Sequence, residues 1–65
     1  MSWLDKINFY YFARGSLCET RSHLLFVLKR GFITNDDYVV MKQQIDKIYH
    51  NINSIIKSLK TRTRL

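Results

Sequence analysis

The sequence predicts an all-α fold: an antiparallel two-helix hairpin that completes a four-helix bundle by self-association. Three observations predict it. Tyr38, Met41, Ile45, Ile48, Ile52, Ile55 and Leu59 follow one another at alternating steps of three and four residues, an a/d heptad stripe free of Pro and Gly. An earlier segment of helical periodicity is joined to it by a turn only a few residues long, which enforces an antiparallel pair. And 65 residues with one cysteine leave self-association as the available staple, since no internal disulfide can form and Cys18, His23 and His50 do not have zinc-site spacing.

The first helix is expected over residues 3–30, within a single domain spanning 1–65. Ser2 and Asp5 read as N-cap and N3 of a capping box, with the acid near the positive helix end. The run Phe9-Tyr10-Tyr11-Phe12 has strand-like composition, but helical periodicity continues on both sides of it. Gly15 is the weak point, at a cost of up to about 1 kcal/mol relative to Ala. Two apolar stripes run along this helix. One is Tyr10, Ala13, Leu17, Thr20, Leu24, Val27 and Gly31, whose small members admit a close partner. The other is Leu4, Ile7, Tyr11, Cys18 and Leu25, rotated by roughly 100°. One antiparallel partner covers only the first stripe, so the second is expected to form an oligomer interface. Arg14 and Arg21 lie between the stripes, where they snorkel past apolar neighbours or pair with carboxylates such as Asp46, or Glu19 of another copy.

Residues 29–37 form the turn. Lys29 and Arg30 suit the negative helix end, Gly31 suits a left-handed C′ position, and Thr34 with Asp37 suits the next N-terminus, with Ile33 stapled onto Tyr38. The second helix is expected over residues 35–60. Beside its seam lie Tyr49 and Ile56, all within an arc of roughly 120°. Its other surface, including Asp46, Lys47, His50, Asn53 and Lys57, suits water. The tail carries Lys57, Lys60, Arg62 and Arg64 without an acid and is expected to fray.

Composition narrows the function classes. Net charge is +6, from eleven Lys and Arg against five acids, which favours nucleic acid, an anionic surface or an acidic protein. The longest strongly apolar run, Leu24 to Leu28, lies mid-chain and is too short to span a bilayer, so neither a signal peptide nor a membrane association is expected. The lone Cys18 fits a reducing cytoplasm and reads as an inert, buried thiol. Glu19 and His23 at i, i+4 read as an ordinary surface pair. No catalytic constellation emerges, so no enzyme, cofactor, metal or small-molecule substrate is expected.

The segment Phe12-Ala13-Arg14-Gly15-Ser16-Leu17-Cys18-Glu19 resembles the A-x-G-S-L-x-E signature of bacterial four-helix-bundle proteins first noted as reading frames in intervening sequences of large-subunit ribosomal RNA genes. Leu24 followed by Gly31-Phe32-Ile33 is similar to that family's turn, and Ile52 through Lys60 to its closing I-x-x-L-I-x-x-L-K pattern, with Ile55 where Leu is frequent. The resemblance covers residues 9–60. It corresponds to the C-terminal half of such proteins, which carry two more helices before the signature. The family is itself similar to accessory proteins of diversity-generating retroelements, which form basic pentameric barrels and bind a reverse transcriptase and nucleic acid. The resemblance thus implies a helical-bundle assembly or adaptor module, associated with nucleic acid or ribonucleoprotein. The alternative, read from charge, is direct RNA or DNA binding through Lys57, Lys60, Arg62 and Arg64. A dimer is the first expected oligomer and a pentamer the second.

Overall fold

Ser2 starts the first helix by reciprocal capping. In the computed structural model, which describes residues 2–63, the Ser2 hydroxyl oxygen accepts from the Asp5 N–H at 3.1 Å and the Asp5 carboxylate accepts from the Ser2 N–H at 3.4 Å. Helix α1 then spans Trp3–Lys29 without a break. The aromatic run at 9–12 is helical throughout, because the periodicity around it outweighs its β-like composition. Gly15 is helical too.

Arg30 caps α1, the position that Gly31 at C′ implies. Gly31 follows at φ +78°, a left-handed conformation that a Cβ disfavours. Its N–H donates to the Leu28 carbonyl at 2.9 Å, and the Phe32 N–H donates to the Val27 carbonyl at 3.1 Å. These two bonds are the Schellman pair, and they satisfy carbonyls that the helix end leaves open. Thr34 then opens α2, Asn35–Thr63, by accepting the Asp37 N–H on its hydroxyl at 3.1 Å. α2 continues past the expected end at Lys60. Leu59 is 8% exposed, so the last turns are anchored, and Lys60 and Arg62 sit favourably at the negative helix end.

The helices form an antiparallel hairpin of 50 × 15 × 14 Å. Its seam is rotated from the heptad reading. On α2 the inward line is Tyr38, Ile45, Tyr49, Ile52, Ile56 and Leu59. Met41, Ile48 and Ile55, expected at inward d positions, are 41%, 48% and 38% exposed. On α1 the inward line runs through Ile7, Tyr10, Arg14, Leu17, Leu24 and Leu28, between the two expected stripes. The central line of α1 therefore carries Arg14, with Arg21 two turns further on at its margin. The Arg14 guanidinium donates to the Asn53 side-chain oxygen at 2.7 Å and the Arg21 guanidinium to the Asp46 carboxylate at 3.1 Å. Asp46 and Asn53 lie on the side of α2 away from Met41, Ile48 and Ile55, so turning α2 toward its acceptors turns those three outward. Both arginines are paired within the chain.

The core is small. Ile7, Ile56 and Leu59 are the buried apolar residues among those described, all toward the open end of the hairpin, and no described side chain is fully enclosed. The sequence places Ile7 on the outward stripe. At 5% exposure it belongs instead to the hairpin's own core, because the seam falls on the row that it shares with Arg14 and Leu28.

Candidate functional site

The rotated seam gives the hairpin two unlike long edges. One edge is apolar. α2 contributes the exposed Met41, Ile48 and Ile55, seven residues apart and therefore stacked on one row. α1 contributes Phe9 and Tyr10, whose rings meet edge to face at 5.5 Å and 85°. Lys6, Phe9, Tyr10, Ile55 and Leu59 line a groove of about 410 Å³ there. Along the midsection the adjoining exposed polar residues, Ser16 and Thr20 on α1 and Gln44 and Asn51 on α2, are uncharged, while Lys6 in the groove and Arg62, seven residues after Ile55, bring cations to the open end.

The opposite edge is cationic. Arg14, Asn53, Ile56, Lys57, Lys60 and Thr61 line a groove of about 510 Å³, with three cations and no carboxylate among the described residues of its lining. The Tyr11 ring serves two of these cations: the Arg14 guanidinium carbon lies 5.1 Å from its centroid and the Lys60 ammonium 5.2 Å. Both distances fall within cation–π range. The Thr61 hydroxyl donates to the Lys57 carbonyl at 3.0 Å, which fixes its rotamer. Arg62 lies next to this groove, where it lines a shallower depression with Ser54, Lys57, Ser58 and Thr61 on the outer face of α2.

Of the four tail cations expected to contact nucleic acid, Lys57 and Lys60 therefore share one groove, Arg62 adjoins it, and Arg64 lies outside the described residues. The sequence reading missed Arg14, Tyr11 and Asn53 as members. A signal for the α2 side was present: Asn53, Lys57 and Lys60 fall at i, i+4 and i+7, one row of a helix. The five residues expected to form an oligomer interface are divided. Leu4 and Leu25 are 68% and 40% exposed, Tyr11 and Cys18 are half-buried, and Ile7 is buried inside the hairpin. The premise that a lone hairpin leaves all five in water is thus corrected for Ile7.

Cys18 is a free thiol, half-buried where full burial was expected. Glu19, His23 and His50 are exposed. Among the described residues no cluster of His, Cys, Asp and Glu has the makings of a metal site, and no helix is long and apolar enough to cross a membrane.

No curated protein and no solved structure gives a significant match to this chain. The family match spans residues 1–54, beginning before the segment in which the resemblance was read and ending ahead of most of the closing Ile52-to-Lys60 pattern. With the signature at Ala13 to Glu19 and the turn at Gly31 to Ile33 both inside that span, the chain belongs to the 23S rRNA-intervening sequence protein family.

Proposed function

We propose that this protein is a non-enzymatic assembly module whose hairpins pair through their apolar edges to close a four-helix bundle. One observation carries the reading. Three apolar side chains are buried among the described residues, while Phe9, Met41, Ile48 and Ile55 stand exposed along one edge. A chain this short holds together poorly on so small a core, and burying each large apolar side chain contributes about 1.5–3 kcal/mol. The midsection of that edge, around Met41 and Ile48, is flanked by uncharged polar residues, while Lys6 and Arg62 place its charges at the open end of the hairpin. A two-fold dimer is the simplest closed arrangement, with a pentamer the second.

The test is mass in solution by analytical ultracentrifugation at tens of micromolar. The expected result is a multiple of 7.8 kDa, shifted toward the single chain by Ile48→Gln with Ile55→Gln. A well-folded species of single-chain mass at every concentration would refute the proposal.

A further inference from the structure

We infer that the cationic groove holds a phosphate group, and that its binding element is the set Arg14, Lys57 and Lys60, with Arg14 and Lys60 resting against Tyr11. The site goes beyond the assembly reading and does not depend on it. It lies on the edge opposite Phe9 and Ile55, so a bundle closed through the apolar edge leaves it open.

Three features point to an anion. The first is convergence: Arg14 on α1 and Lys57 and Lys60 on α2 line one groove, with no carboxylate among its described lining residues. The second is preorganisation. Arg14 spends one of its five N–H donors on Asn53 and rests against the Tyr11 ring, and both contacts restrain it. Lys60 is drawn to the same ring. A guanidinium fork sharing one groove with two lysines matches the several acceptor oxygens of a phosphate. The third is position. Cations near the end of α2 offset its dipole wherever they point, but Arg14 sits in the middle of α1, where no helix end needs offsetting.

The source of the phosphate is either a nucleic-acid backbone or a free phosphate ion, and the experiment separates them. The full chain is titrated with fluorescein-labelled single-stranded RNA of mixed sequence and, separately, with inorganic phosphate followed by NMR of the Arg14 and Lys60 side chains. The variants are Lys57→Gln with Lys60→Gln, Arg14→Gln, and a charge-matched control outside the groove, Lys29→Gln with Lys47→Gln, each checked for retained helicity. Lys57→Gln with Lys60→Gln is expected to weaken RNA binding by about tenfold or more. It should also flatten the slope of log affinity against log salt by about 0.7 per phosphate no longer neutralised. Arg14→Gln is expected to weaken binding as well, and the control to change little. RNA binding that depends on the groove identifies the backbone as the source. Phosphate-induced shifts abolished in Arg14→Gln, with no RNA binding, identify the free ion. Equal weakening by the control, equal competition by polyglutamate, or no response of either probe to the groove variants would overturn the site.

Discussion

Arg14 and Asn53 stand 39 residues apart in sequence and are joined by a 2.7 Å hydrogen bond across the hairpin. Two turns further along, Arg21 meets Asp46 at 3.1 Å. These two cross-links lie on the same side of the seam, and both fit the turn of α2 that buries Ile56 and Leu59. The rotation has two products: it places Met41, Ile48 and Ile55 on an open apolar edge, and it brings Arg14 into the groove of Lys57 and Lys60.

The two cross-links are expected to differ in strength. The Arg14–Asn53 bond is part-buried and has a charged donor, so Asn53→Ala should cost about 1.5–3 kcal/mol. Arg21 and Asp46 are each 45% exposed, so Asp46→Ala should cost no more than about 1 kcal/mol. Urea melts of the two variants give the comparison, and a larger loss for Asp46→Ala would reverse the ranking.

The rotated seam predicts different outcomes for two neighbouring rows of α2. Ile56 is 3% exposed, so Ile56→Asp should bury an unpaired charge and abolish helicity at any protein concentration. Ile48 is 48% exposed in the hairpin, so Ile48→Asp should act through assembly and move the concentration dependence of helicity to higher concentration. Circular dichroism across a dilution series separates them. Identical behaviour of the two variants would favour the heptad seam read from periodicity, with Ile48 inside.

The two glycines should respond in opposite directions to alanine. Gly15 is helical, and a Cβ built there meets nothing within 4 Å, so Gly15→Ala should stabilise by up to about 1 kcal/mol. Gly31 also has room for a Cβ, but its φ of +78° resists one, so Gly31→Ala should destabilise by roughly 1–2 kcal/mol. Thermal melts at fixed concentration measure both signs.

Tyr11→Leu tests the aromatic member of the cationic groove without changing net charge. Without the ring, Arg14 and Lys60 should be less ordered and phosphate binding weaker, by about 0.5–1 kcal/mol for each cation–π interaction removed. RNA titrations at matched salt measure this. Unchanged affinity would make Tyr11 a packing residue only.

The sequence by itself determined the three helix ends that local caps set, but not the end of α2, which runs on to Thr63. Ser2 with Asp5, Gly31 after Arg30, and Thr34 with Asp37 delimit two helices through hydrogen bonds spanning five residues or fewer, and the short turn makes the helices antiparallel. The rotation of α2 was settled only by tertiary structure. Ile48 and Ile55 lie one residue before Tyr49 and Ile56, roughly 100° away on the wheel and similarly apolar, so periodicity alone does not choose between the rows. The bonds that go with the observed row, Arg14 to Asn53 and Arg21 to Asp46, join residues 39 and 25 apart. The cationic groove has the same origin. Lys57 and Lys60 are visible in the tail, but Arg14 and Tyr11 reach them only because the folded hairpin lays the middle of α1 beside the end of α2, a proximity that no local pattern encodes.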